Sequence, residues 1–575
     1  MAETLISPGV LARENDSSFI SKRPVQVGAA IIGPTVKGPV EVPTIVTTWS
    51  DYVSKFGTTF TSGSTDDKKT YTYLTSIAAY NYFAPPNNGT SLLVCRVVTG
   101  SYSSATSSYI ATGSSGPTTG FSPFVLQTFS KGVVMNSEST EVSGSLPSGS
   151  SDNFRWQIVN SNTSSGTFDL LIRQGNDTNL NPAILETWTN LSLDPNSSNY
   201  ISRVIGDINE NYNSSYNQIQ YSGSFANKSD YIRVSAVNYT TPNYFDNNGI
   251  AKNQYTGSLP ANVSGAFGGA SGAIRGGAKF YNNISDTDTQ GLTGGCYDNM
   301  IRLLSNMDDY KFNMLLTPGL YDADYAAQVS NIITNTQNRG DNIYVLDPVK
   351  YGRSVNEAVS QAATRNTSYA AEYWPWLQVV EPSTGELVWV PASTMIGGVY
   401  AYNDSVAEPW FAPAGINRGG LSTVVRAEQR LSQTQRDTLY TGKVNPIATF
   451  PGTGVVVYGQ KTLQTRASAL DRVNVRRLLI ALKSYISQIA NTLVFEQNTA
   501  ATRNNFLAQV NPYLSSVQQR QGLYAFKVIM DDSNNTPDVV DRNELVGQIY
   551  LQPTKTAEFI YLDFNVTPTG ATFPA

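Results

Sequence analysis

The stretch Phe450-Pro-Gly-Thr-Gly-Val-Val-Val-Tyr-Gly-Gln-Lys-Thr-Leu463, followed shortly by Asp471-Arg-Val-Asn-Val-Arg-Arg-Leu-Leu-Ile480, decides how this chain is read. Glycines punctuate a β-branched run, so the first part predicts a strand pair. The second part opens a helix over about 471–495. Val475, Leu479, Leu482, Ile486, Ile489 and Leu493 step by fours and threes along it, which gives one apolar face. Gly454 to Thr462 comes within one residue of a phosphate-binding loop. Gln460 displaces Lys461 from the place where a helix N-terminus would present it, so a β-hairpin is the better reading.

Working outward, 411–575 holds this helix, a second helical stretch and three strands. Tyr524, Phe526, Val528 and Met530 alternate along one strand, and Leu545–Leu551 makes another. Ile560, Leu562, Phe564 and Val566 line one face of the last. Upstream, 276–410 alternates helix and strand: Tyr297–Asn306 helical, Phe312–Leu316 a strand, Tyr325–Thr336 helical, Ile343–Leu346 a strand ending at Asp347. That alternation predicts a partly parallel sheet with helices against it. Asp347, at a strand's carboxyl end, could be a ligand group, but a turn-capping role fits a lone carboxylate better.

Residues 25–100 read as the first part of the same α/β core. Val25–Ile32 is a strand, Ser50–Phe56 and Tyr71–Phe83 are helices, and Leu92–Val98 is a strand buried on both faces. Between the halves, 101–275 is rich in Ser, Thr, Gly and Asn. It carries short alternating strands (Phe154–Val159, Phe168–Ile172, Tyr231–Val234), and Ser264–Gly277 reads as a flexible return. The expected fold is therefore mixed α/β (α+β) and multidomain: an α/β core interrupted by a β-rich insertion, with a C-terminal α+β domain. Residues 1–24 read as an extended arm with apolar Leu5, Ile6, Val10 and Leu11. A strand this short is marginal without a partner.

Composition excludes much chemistry. Among 575 residues there is no histidine, hence no imidazole base for a nucleophile and no imidazole metal ligand. Cys95 and Cys296 lie far apart and read as free thiols rather than a zinc site or disulfide. Asp531–Glu544 is acidic but has Thr536 and Arg542 where a calcium loop needs glycine and a bidentate carboxylate. No cofactor or metal is expected, and no enzymatic role. No apolar run spans a bilayer, and Met1–Val10 lacks a secretory pattern, so cytoplasmic synthesis without membrane insertion is expected.

Charge is segregated. Residues 411–530 contain fourteen Lys and Arg against four Asp and Glu, while the whole chain carries −5. This region is expected to face an acidic surface. Arg472, Arg476 and Lys483 flank the apolar stripe of the long helix, with Arg503 and Arg520 further along. Nucleic acid is one candidate partner, but no basic run, zinc-finger spacing or known RNA-binding motif accompanies the charge, and an acidic protein surface is equally compatible.

Several segments, in order, resemble the contractile tail sheath family of myophages and related injection machines. They are Ser7-Pro-Gly-Val10, Ala371-Glu-Tyr-Trp-Pro-Trp-Leu377, Val390-Pro-Ala-Ser393, Gly397-Gly-Val-Tyr-Ala401, Asn403-Asp404, Trp410-Phe-Ala-Pro-Ala-Gly415, Asn445-Pro446, Phe450-Pro-Gly452, Gly459-Gln-Lys-Thr-Leu463 and Val475-Arg-Arg477. Lys461 stands where the family usually has Arg. The insertion matches none of these motifs.

The resemblance implies a virion structural subunit, assembled in the host cytoplasm, that forms hexameric rings stacked helically around an inner tail tube. Contraction would drive the tube through the host envelope, with baseplate and neck or tail terminator proteins as further partners. It also implies that the N-terminal arm (Leu5, Ile6, Val10, Leu11) and the final strand (Ile560, Leu562, Phe564, Val566) join sheets in neighbouring copies. Arg472, Arg476, Lys483, Arg503 and Arg520 would grip the tube, so reversing two of these charges should impair assembly around it. Competing readings are a bacterial injection-device sheath, a β-rich carboxylate-dependent tail spike, and a nucleic-acid-binding protein.

Overall fold

A computed structural model describes residues 28–62, 69–113, 122–135, 144–273 and 283–561. Its centre is an eight-stranded sheet in the order Thr44–Val46, Leu92–Arg96, Ala29–Gly33, Met314–Tyr321, Ile343–Asp347, Ala370–Trp374, Val444–Phe450, Gly454–Val457. The six inner strands run parallel, and each edge strand is antiparallel to its neighbour. Ala29–Gly33, Leu92–Arg96 and Ile343–Asp347 are buried at every position, as expected of strands covered on both faces. The helices Leu74–Phe83, Ala326–Arg339 and Ser393–Val406 pack against this sheet.

The sheet crosses the boundary expected at 410/411. Val444–Phe450 and Gly454–Val457 form the predicted hairpin, and they complete the core sheet rather than a separate C-terminal one. Lys69–Thr72 is a strand paired with Thr59–Ser62, so the helix expected from Tyr71 starts only at Leu74.

A second sheet of seven antiparallel strands lies wholly between Ser104 and Gly268 and encloses its own apolar core. The expected flexible return at Ser264–Gly277 is corrected here: Ser264–Gly268 is the sheet's central strand. Gly265 is needed there because a Cβ would lie 2.5 Å from the Trp156 ring. Trp156 in turn donates its indole N–H to the Ala266 carbonyl at 3.0 Å. Residues 274–277 lie outside the described residues.

Basic side chains join the two sheets. The guanidinium of Arg96, fully buried, donates to the carbonyls of Gly38 (2.6 Å) and Lys131 (2.8 Å). Burial lowers its pKa to about 10.

A third apolar core lies between the long helix Val473–Asn491, the helix Ala500–Gln519 and a hairpin of Leu523–Ile529 and Gln548–Pro553. Leu478, Leu482 and Ile489 face this core, whereas Val473 and Ile480 belong to the main one. The long helix is thus buried on two sides, not along the single stripe read from its periodicity.

Candidate assembly interface

Because the long helix is held between two cores, most of its basic flank meets protein, and Lys483 alone of the three flanking residues is exposed. Arg476 is 4% exposed; it donates from Nε to the Ser368 carbonyl at 3.1 Å and also bonds the Ser368 hydroxyl. Its guanidinium lies 3.9 Å from the centre of the Tyr369 ring. Arg477 pairs with Asp404 at 2.6 Å and stacks over Tyr400. Arg472 pairs with Glu558 at 2.7 Å and with Asp471 at 3.0 Å. Arg503 pairs with Asp532 at 2.8 Å and Arg520 with Glu408 at 2.5 Å. Lys483 is exposed, its ammonium 3.4 Å from the Tyr369 hydroxyl.

Of the five residues expected to face a tube, Arg472, Arg476 and Arg503 are therefore largely engaged inside the chain. Arg476→Ala is expected to destabilise the unassembled chain by about 2–4 kcal/mol, since a charged hydrogen-bond donor and a desolvated cation–π contact are both lost. Denaturant unfolding of the isolated protein reads this directly; a variant as stable as the parent would return Arg476 to the list of external contacts.

The C-terminal hairpin presents the opposite situation. Among the described residues its two strands pair only with each other. One face rests on Phe506, Val510, Leu514 and Val517, while Tyr524 and Tyr550 are 65% and 56% exposed. Both outer edges carry backbone groups open to another strand, which leaves a two-stranded sheet marginal alone.

Beyond the hairpin the chain crosses to the main sheet. Glu558 accepts from Arg472 Nε at 2.7 Å, Gln460 Nε2 at 3.0 Å and the Tyr440 hydroxyl. Burial alone would raise the Glu558 pKa, but these bonds, Arg472's first, outweigh it and hold the carboxyl below its ordinary value. Lys461 lies 4.3 Å from the centre of the Tyr440 ring, not at a helix N-terminus, consistent with rejecting a phosphate loop.

Phe559, Ile560 and Tyr561 then stand 68%, 75% and 88% exposed. Phe559 and Ile560 border a cleft of about 1150 Å³ lined also by Trp410, Phe411, Tyr458 and Tyr524. Of the residues expected to exchange between copies, Ile560 is in this exposed run. Leu5, Ile6, Val10, Leu11, Leu562, Phe564 and Val566 lie outside the described residues.

Asp347 does cap: its carboxylate accepts from the Ser393 backbone N–H (2.8 Å) and hydroxyl (2.5 Å) at the start of the helix Ser393–Val406. Burial pushes its pKa up to about 6. Sequence reading missed Glu558, Tyr440 and Gln460. The available signal was a lone carboxylate directly ahead of the final apolar alternation.

Residues 296–463 match the phage tail sheath protein central domain, and 465–567 match the phage tail sheath C-terminal domain. A tail sheath protein of Vibrio phage KVP40 is 45% identical over 185 residues, 32% of this chain and 28% of that protein. The tail sheath protein of Salmonella phage ViI is 32% identical over 286 residues, 46% of this chain and 45% of that one. The matched stretch thus spans less than half the length of either relative. A crystal structure of a sheath tail protein from Listeria innocua shares the fold with a TM-score of 0.52 and 9% identity, over 92% of this chain and 96% of that one. Through residues 296–463 and 465–567, the chain is thus similar to the central and C-terminal domains of phage tail sheath proteins.

Proposed function

We propose that the chain is a structural subunit of a contractile phage tail sheath, polymerising as stacked hexameric rings around an inner tube. The observation that carries this reading is the C-terminal hairpin with two open edges, close to a terminal segment of exposed apolar residues. An extended arm from another copy would complete such a sheet through main-chain hydrogen bonds, with alternate side chains filling pockets. The same links would keep copies joined while the lattice shortens and widens. Baseplate, tail terminator and tube proteins are the partners such a sheath requires, and the virion tail is its place. The relatives named as tail sheath proteins are phage products, which favours a phage over a bacterial injection device.

Lys483 and Arg520, which reach solvent, are the members of the basic set available to hold an acidic tube. Exposed ion pairs contribute only about 0–1 kcal/mol each, suited to a grip that must release. A glycan-cleaving reading is disfavoured because the carboxylates gathered near the strand ends, Asp322, Asp347 and Glu372, are 0–2% exposed.

Negative-stain microscopy tests the proposal. The full chain is expected to form long striated hollow cylinders above a threshold concentration. A chain ending after Tyr561 is expected to remain unassembled while keeping its unfolding profile. Cylinders formed equally well by the shortened chain would refute strand exchange at this end.

A further inference from the structure

We propose that Glu558 is a mooring, the point where the C-terminal segment is made fast to its own subunit before the chain runs on to another copy. This rests on the strand-exchange reading above and deepens it.

Three donors from separate elements converge on one carboxylate. Tyr440 belongs to the helix Gln433–Thr441, Gln460 follows the edge strand Gly454–Val457, and Arg472 is the N-cap of the long helix. Gln460 Nε2 also donates to Thr556 Oγ1 at 2.7 Å, which ties the same short segment a second time. Upstream, the Thr554 hydroxyl donates to the Gln521 carbonyl at 2.6 Å. Residues 554–558 are therefore held at both ends.

The character of the chain changes within one residue. Glu558 is half-buried and multiply bonded, whereas Phe559, Ile560 and Tyr561 are consecutive, large, apolar and mostly in solvent. A segment ending on its own subunit would bury such residues; one leaving it would hold them ready for another surface.

A polar clamp suits this boundary for a physical reason. Apolar strand contacts tolerate register slips, and a slip would move the side chains to new pockets. Charge-assisted hydrogen bonds have fixed partners and directions, so they set where the arm's register begins. The clamp also neutralises a local excess of positive charge: Lys461 and Arg472 both face the Tyr440 ring, and Asp471 is the other acid paired there.

Lys555 provides the readout, because it is exposed within the moored segment and trypsin cleaves after it only when the surrounding chain opens. In the unassembled full-length protein, Glu558→Gln is expected to accelerate cleavage after Lys555 about tenfold. Tyr440→Phe, which removes one donor and keeps the ring, is expected to fall between. The concentration at which Glu558→Gln forms cylinders should rise severalfold. Cleavage of Glu558→Gln at the parental rate would overturn the mooring. So would faster cleavage with an unchanged assembly threshold, which would make the contact a local tie only. The chain ending after Tyr561 separates the two ideas: it retains the clamp, so its assembly tests strand exchange while the cleavage rates test Glu558.

Discussion

Asp177→Ala will lower the melting temperature of the seven-stranded domain while that of the parallel-sheet core stays where it is. Arg155 and Arg173 lie directly opposite each other on paired strands, and both side chains are 0% exposed. Like charges in that position repel. The Asp177 carboxylate lies between them, accepting from Arg155 Nη1 at 2.7 Å, Arg173 Nε at 2.7 Å and Arg173 Nη2 at 2.9 Å. It also accepts from the Ala183 backbone N–H at 2.8 Å. Removing one partner of a buried ionic group costs about 3–5 kcal/mol, because the remaining charge has nowhere to go. For a domain of this size that corresponds to a fall in melting temperature on the order of 10 °C. Calorimetry of the unassembled chain should show one transition moving and the other staying. Replacing all three with apolar residues (Arg155→Met, Arg173→Met, Asp177→Leu) should restore most of the loss, since the desolvation cost goes with the charges. A single-site variant with both transitions in place would mean that the triad is not what holds this domain.

What the sequence revealed follows from which signals are local. Apolar runs such as Leu92–Arg96 and Ile343–Asp347 announce strands covered on both sides, and these sit inside the parallel sheet. The hairpin was legible because Gly452 and Gly454 adopt positive φ, at 79° and 85°, next to a β-branched run. Ser264–Gly268 was misread because glycine usually signals a loop; here Gly265 makes room for an indole more than a hundred residues earlier in the chain, which no window reveals.

The basic flank failed for the same reason. Periodicity gives one buried face, but the long helix has two, and its second neighbour comes from residues around Ser368 and Tyr369. Charge segregation was real in the sequence, yet much of it is answered inside the molecule, by Asp404, Glu408, Asp532 and Glu558. All four of those acids lie outside the 411–530 window: Asp404 and Glu408 precede it, and Asp532 and Glu558 follow it. The imbalance in that window was thus a feature of where it was cut as much as of the surface.

Glu372→Gln will make the core more stable at alkaline pH and will flatten its stability profile. Glu372 sits in the strand Ala370–Trp374, is 0% exposed, and neither carboxylate oxygen has a hydrogen-bond partner among the described residues. Burial raises its pKa well above the ordinary value, and the nearby carboxylates of Asp322 and Asp347 raise it further. The two adjacent cations are committed elsewhere. Arg365 is held bidentately by Asp322, and Lys443 Nζ donates to the Arg365 carbonyl at 2.6 Å. Lys443 and Arg365 pull the pKa down only in part, so the folded chain holds the Glu372 proton to higher pH than the unfolded chain does. The unfolded chain releases it near 4.5. The stability contributed by the neutral acid is full below that value and declines as pH rises toward the folded pKa, where the loss levels off. Asp347 adds a slope of the same sign, confined between 3.8 and about 6. Decline above about pH 6.5 that the amide variant lacks is thus assigned to Glu372. Urea midpoints for both proteins from pH 5 to 9 measure it: the curves should converge in acid and separate steadily in base, with the variant higher. Parallel curves would show that the folded chain releases the Glu372 proton as readily as the unfolded one, so that burial does not raise its pKa.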